Sequence, residues 1–199
     1  MTSVKSQTVE GLVDRKLDEA LCAKYPELFI ERHGDMRQTA MCWGFECGDG
    51  WYPLIETLCY NLMHKVVRLR SQIAHFEKML LRTDLSPFQK EFYTTEKLQE
   101  YKDNLAKAVK DVPVVLQVKE KFGGLRFYTT ATTEEQNNYI HFAEGLSYKI
   151  CEECGAMKDT MLYTSGWHKT LCPEHAKERY GDEAEHFRNN TGEYADDAP

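Results

Sequence analysis

Four residues near the C-terminal end have the types and spacing of a metal clasp. Cys151 and Cys154 in "CEECG", and Cys172 and His175 in "TLCPEH", form two pairs, each with two intervening residues, and seventeen residues separate the pairs. Thiolates and imidazoles are soft ligands, and two such pairs joined by a short hairpin can wrap opposite edges of a tetrahedral ion. Gly155 follows the first pair, where a tight knuckle favours a residue without Cβ. Four protein ligands close the coordination sphere, so the expected cofactor is structural zinc (Zn2+) rather than a catalytic ion. His168 is a rival to His175, and the alternative to a site is a coincidental group of cysteines.

A second cysteine-rich stretch, "MCWGFECGDGW", offers Cys42 and Cys47, with His33 or Cys59 as further ligands. Its Cys-x4-Cys spacing is looser and lacks an obvious second pair. Buried thiols, with Trp43 and Trp51 packed in the core, are the competing reading. The same loop, residues 33–51, carries His33, Asp35, Glu46 and Asp49. These could serve a phosphate-ester hydrolase or nuclease as base and carboxylates. No nucleophile elbow, phosphate loop or open zinc triad accompanies them, and no His-x-Glu precedes the Cys-x2-Cys pair. An enzyme is therefore the alternative reading, and a non-enzymatic binding protein the main one.

The third chemical feature is "QVKEKFGGLRFY", residues 117–128. Taking Gly123-Gly124 as a two-residue turn, Phe122 pairs with Leu125, Lys121 with Arg126 and Lys119 with Tyr128. Alternation then gives a core face of Val114, Leu116, Val118, Phe122, Leu125 and Phe127, with Glu120 as the odd member. The other face holds Gln117, Lys119, Lys121, Arg126 and Tyr128. Opposed like charges repel across strands, so this face calls for an anion. Either internal carboxylates supply it, or the face binds phosphate while a base or ring stacks on Tyr128. Trp51 and Trp167 are the candidates to extend such a ligand site.

These features need positioning elements. "VEGLVDRKLDEALCAKY" has helical periodicity at Val9, Leu12, Val13, Leu17, Ala20 and Leu21, limited by Pro26. The longest predicted helix follows Pro53, with Leu54, Leu58, Leu62, Val66, Ile73 and Phe76 on one stripe. "RTDLSPFQ" breaks it, and "FQKEFYTTEKLQEYKDNLAKAVKD" is expected to return as one helix, so that residues 52–110 make a charged helical hairpin arm. The stripe, with Leu80, could instead pair two subunits and make an oligomer. A β-hairpin at 113–130 follows. Thr132 or Thr133 then caps a helix, with Glu135 or Gln136 closing a capping box.

The expected fold class is α+β: helices around a small antiparallel β-hairpin sheet, with a C-terminal zinc-ribbon-like module. The expected divisions are a body at 1–147, a zinc-knuckle module at 148–188 and a flexible tail at 189–199. The formal charge is −7, with 32 acidic against 25 basic side chains, which argues against coating an extended nucleic-acid duplex. No apolar run of about 18 residues suggests a membrane span, and the first residues lack a secretory pattern. Seven cysteines without an export signal point to a reducing cytoplasm.

In order along the chain, "MCWGFECGDGWYPLIETLC", "QVKEKFGGLRFY" and "CEECG…SGWHKTLCPEHA" resemble a widespread set of small uncharacterised proteins from bacteriophages and bacteria. The resemblance covers roughly 35–60 and 113–176. Its shared positions here are Gly48, Asp49, Gly50 and Trp51; Lys119, Lys121, Gly123, Gly124 and Arg126; and Gly166, Trp167 and the four metal-ligand candidates. It implies a cytoplasmic protein, in the host cytoplasm if phage-encoded, and no established activity. The expected function is a phage factor acting on host machinery or defence by binding a host protein or a phosphate-bearing ligand, such as a nucleotide or a nucleic-acid end.

Overall fold

The computed structural model describes residues 15–188. The predicted helical positions Val9, Leu12 and Val13 and the predicted tail at 189–199 lie outside the described residues. The first described helix, α1 (Arg15–Lys24), buries Leu21 and Cys22. Its buried Asp18 accepts from Arg32, at 2.5 Å from Nη2, and from the Cys22 thiol at 3.3 Å. This buried ion pair ties α1 to the single helical turn Ile30–His33. Burial, reinforced by the Asp18 charge, pushes the Cys22 thiol up to about 12, so it behaves as a small apolar group.

The longest helix forms as the periodicity predicts. Helix α2 (Tyr52–Leu80) has Pro53 in its first turn and spans 29 residues, about 44 Å. Leu58, Leu62, Val66, Ile73 and Phe76 are all buried. Within the chain, α2 packs against α4 (Thr95–Lys110).

The returning segment is two helices. Ser86 caps α3 (Pro87–Phe92) in a capping box with Gln89, and Thr94 caps α4 by accepting from the Lys97 amide. Two N-caps eight residues apart compete with helix continuity, and the chain leaves helical geometry at Tyr93. The break aims rings inward. Phe76 lies 4.9 Å from both Tyr93 and Tyr101 and 5.7 Å from Phe92, centroid to centroid. The charged arm therefore has its own small aromatic core.

Strands β2 (Val115–Lys121) and β3 (Gly124–Thr129) make the predicted antiparallel hairpin, but with a different register. The turn is Phe122-Gly123, with φ of 54° and 76°, the doubly positive pattern of a tight hairpin. Gly124 has another use: a Cβ there would lie 2.3 Å from the Tyr148 ring. Lys119 consequently pairs with Arg126, Glu120 with Leu125 and Gln117 with Tyr128. An irregularity between Val115 and Gln117 also resets the inward phase. Val115 is buried, whereas Leu116 and Phe122, expected inside, are 39% and 49% exposed.

A third strand, β1 (Phe45–Glu46), pairs parallel to β2 and puts Glu46 beside Lys119. Two residues are too short to show a period. Helix α5 (Glu134–Ser147), with the predicted Thr133–Gln136 capping box, covers the free edge of β3. The Leu125 amide donates to Ser147 Oγ at 2.9 Å and the Phe127 amide to Glu144 Oε1 at 2.8 Å, so the edge has partners. The main core joins α1, α2, α5 and the inner sheet face around Trp51, Ile55, Val118 and Leu125.

A second, smaller core belongs to the C-terminal segment. Strands β4 (Met161–Ser165) and β5 (Trp167–Leu171) form a two-stranded sheet, followed by α6 (Pro173–Tyr180). Tyr163, Leu171 and Ala176 centre it. Among the described residues no helix is long and apolar enough to cross a membrane.

Phe76→Ala should destabilise the end of the arm by about 3–4 kcal/mol, the usual cost of removing a buried ring. Hydrogen exchange should show lost amide protection in α3 and the adjoining turns of α2 and α4. Protection in β2–β3 should be unchanged.

Candidate metal centre

The first ligand pair sits on a knuckle that the backbone closes by itself. The Gly155 amide donates to Cys151 O at 2.8 Å, the Cys151 amide donates to Ala156 O at 2.7 Å, and Gly155 has φ 77°. The second pair uses a helix start. Cys172 is the N-cap of α6, and His175 lies in that helix's first turn. Strands β4 and β5 form the hairpin that brings the pairs face to face.

The ligand atoms of Cys151, Cys154, Cys172 and His175 all lie within 4.8 Å of one another. Cys154 Sγ to Cys172 Sγ is 3.8 Å, Cys151 Sγ to His175 Nδ1 is 3.7 Å, and Cys172 Sγ to Nδ1 is 3.2 Å. A tetrahedron with metal–sulfur bonds of about 2.3 Å has sulfur–sulfur edges of about 3.8 Å. The cluster is thus geometrically suited to a metal such as zinc. Nδ1 is the inward nitrogen, and Nε2 faces Glu178 one turn along α6, at 3.9 Å. Burial opposes ionisation of Cys172, but hydrogen bonds from the His175 backbone and imidazole and from the two other thiols outweigh it, bringing Cys172 down to about 7.

His168, the rival ligand, is elsewhere: its ring meets Phe122 edge-on at 5.8 Å. Among the described residues no second group of metal-ligand type gathers. Cys47 and Cys59 are fully buried in the main core, and the Cys42 thiol donates to Thr39 O at 3.2 Å. Burial pushes Cys47 and Cys59 well up. The loop candidates His33, Asp35, Glu46 and Asp49 do not converge either. Asp35 is held by Arg37 at 2.8 Å, and Glu46 accepts from Gln117 at 2.8 Å.

The metal knuckle is joined to the body through a side chain that the sequence pattern does not single out. Glu152, between the first two ligands, is fully buried. Lys169 Nζ lies 2.8 Å from both its carboxylate oxygens, and the Gly48 amide donates to Oε1 at 3.1 Å. Its backbone carbonyl accepts from Gly50 at 2.7 Å, and its amide donates to Thr170 O at 2.9 Å. Burial raises the Glu152 carboxyl while the Lys169 charge opposes that rise. A "CEEC" run reads as surface charge, and nothing in the spacing of Lys169 announces its partner.

The glycines of "GDGW" are required by this contact. A Cβ on Gly50 would lie 2.2 Å from Cys151 O, and one on Gly48 would lie 2.4 Å from Glu152 O. Trp51 is fully buried and its indole N–H donates to Ile150 O at 2.8 Å. It therefore belongs to the junction and not to an exposed ligand surface, which corrects its sequence assignment. Glu120, the odd member of the hairpin's inner face, lies 3.9 Å from Lys169 and accepts from the Gly123 amide at 2.7 Å. Thr170 Oγ1 donates to Gly123 O at 2.6 Å. The three motifs read separately along the chain meet at one junction.

On the opposite sheet face, the register places Lys119 across from Arg126 and beside Glu46, with Gln117 across from Tyr128. Lys121 shares the parity of Lys119. Arg126 donates to Leu125 O at 2.8 Å and to the Tyr148 hydroxyl at 3.1 Å. Lys119 and Lys121 lie over the Tyr128 and Phe122 rings. Among the described residues, no carboxylate forms an ion pair with these three cations. Trp167 is exposed at the β4–β5 turn. No protein-family model, curated protein or solved structure matches this chain.

Gly50→Ala should destabilise the protein by about 3 kcal/mol, because the obstructing atom is backbone and cannot swing aside. Urea unfolding measures this, and a loss below about 1 kcal/mol would contradict the close approach. Glu152→Gln should cost a similar amount by stripping Lys169 of its nearest counter-charge in a buried place.

Proposed function

We propose that this is a non-enzymatic binding protein of a bacteriophage or bacterium, in which structural zinc braces a basic sheet face that docks a phosphate-bearing ligand. A factor of this kind acts on host machinery or defence by occupying that ligand. The observation carrying the reading is that Lys119, Lys121 and Arg126 share one sheet face and, among the described residues, form no carboxylate ion pair, on a chain whose formal charge is −7. Confining three cations to one face of an acidic body gives a local anion site without general affinity for polyanions.

Zinc supplies conformational restraint here. Cys151, Cys154, Cys172 and His175 would hold it, and a closed set of four ligands leaves no position for substrate. The module's own core is small, and a small core needs such a clasp to stay folded. Its position behind the hairpin turn, through Thr170 and Lys169, supports a role in setting where the cations stand.

Two measurements test this reading. Metal analysis should find one zinc per chain, and Cys172→Ser should abolish it together with the folding of residues 148–188; a folded, zinc-free protein would overturn the assignment. Calorimetric titration with tripolyphosphate should show binding that weakens as salt rises. Lys121→Glu should reduce the affinity about ten-fold, the scale of one charge-assisted hydrogen bond. Lys78→Glu on the arm should not change it.

A further inference from the structure

Flat rings on the hairpin stand beside two of its cations. Tyr128 is 40% exposed, with Lys119 Nζ 5.5 Å from its ring centroid; Phe122 is 49% exposed, with Lys121 Nζ at 5.2 Å. Trp167 is 75% exposed, and it precedes His168, whose ring touches Phe122. Leaving large rings in water forgoes burial energy, so their repetition beside cations on one hairpin calls for a partner with apolar faces and negative charge together. Unpaired nucleobases on a phosphodiester backbone have that combination, and sheet faces with exposed aromatics receive them by stacking.

The spacing favours a strand over a single nucleotide. Gln117, which faces Tyr128, is four residues from Lys121, about 13 Å along the sheet at roughly 3.3 Å per residue. One base cannot reach both rings. A duplex presents its base faces only at its ends, and a long one would meet the acidic remainder of the body.

We infer that the open face of the three-stranded sheet binds a short single-stranded nucleic-acid segment. Bases stack on Tyr128 and Phe122, and phosphates lie against Lys119, Lys121 and Arg126. This rests on the anion-binding reading above and names its ligand class. Glu46, which holds Gln117 at the β1 side of the face, limits the path there by charge repulsion and directs the strand along the hairpin. Three phosphate contacts predict that log K falls with log salt at a slope of about −2, at roughly 0.7 per contact for single strands.

Fluorescence anisotropy on the zinc-loaded full chain tests this with three labelled probes: a thymidine oligomer, an abasic phosphodiester strand of equal length, and a blunt hairpin duplex. The thymidine oligomer should bind at least about ten-fold tighter than either other probe. Tyr128→Leu and Phe122→Leu should each weaken thymidine binding about ten-fold while leaving the abasic strand unaffected, and Tyr128→Phe should retain binding. Lys121→Glu should weaken both strands. Both aromatic sites are exposed, and retained zinc content confirms that the variants are folded. Equal affinity for the thymidine and abasic strands would overturn base stacking yet leave the anion site standing. A preference for the duplex would likewise overturn the single-strand assignment. Failure of every probe, with tripolyphosphate also unbound, would remove both readings.

Discussion

A buried carboxylate decides how this molecule is assembled. Glu152 lies between two candidate metal ligands with no exposure to water, where an unpaired charge would be prohibitive. Lys169 from β5 and the Gly48 amide from the loop before α2 supply what it needs. Because one partner lies in the module and the other in the body, satisfying this single group fixes the two against each other. The glycines at 48 and 50 then follow, since the loop can reach Glu152 only if no Cβ stands in the way. Metal ligation and body packing share one short stretch of backbone, residues 150–155, and neither can shift without the other.

The same junction explains why the hairpin's cations stay open. The acidic side chains near the sheet are each committed elsewhere. Glu120 is turned inward to Lys169 and the Gly123 amide. Glu46 is bonded to Gln117 and Glu144 to the Phe127 amide. Burial raises the Glu144 carboxyl, while the Phe127 amide and the Arg126 charge oppose that rise. Cations left on the outer face are thus a product of where the carboxylates are used, and not of a basic composition.

Sequence periodicity and spacing made some of this legible. The ligand quartet could be read because each pair is local in the chain, and helix α2 because its stripe repeats over 29 residues. Sharing of a face by Lys119, Lys121 and Arg126 was also legible, since a two-residue slip in pairing preserves parity. The register itself was not. Gly123-Gly124 looks like one turn, but Gly124 is needed against Tyr148 and the turn falls one residue earlier, on Phe122. Strand β1 was hidden by its length, the α3–α4 break by two caps inside an otherwise helical pattern, and Glu152–Lys169 by the absence of any pattern that marks a buried pair. Trp51 was misplaced for a related reason: an aromatic beside "GDG" looks available until its indole is seen bonded to Ile150.

The candidate metal ligands lie a short path along the chain from the sheet face. From His175 and Cys172 the chain runs back through Leu171 to Thr170 and Lys169, and these two touch Gly123 and Glu120 at the hairpin turn. Few residues separate the ligands from the turn, and the intermediate groups are hydrogen-bonded or buried, so displacement at the clasp has little slack in which to dissipate. Leu162 closes the same contact from β4, lying where a side chain at residue 123 would have to go. A loosened clasp would free β4 and β5 together, and the turn carrying Phe122 and Lys121 would lose its support from both. The aromatic core of the arm, around Phe76, is assembled from α2, α3 and α4. A metal held by the four candidate ligands would therefore act on the hairpin turn through Thr170 and Lys169.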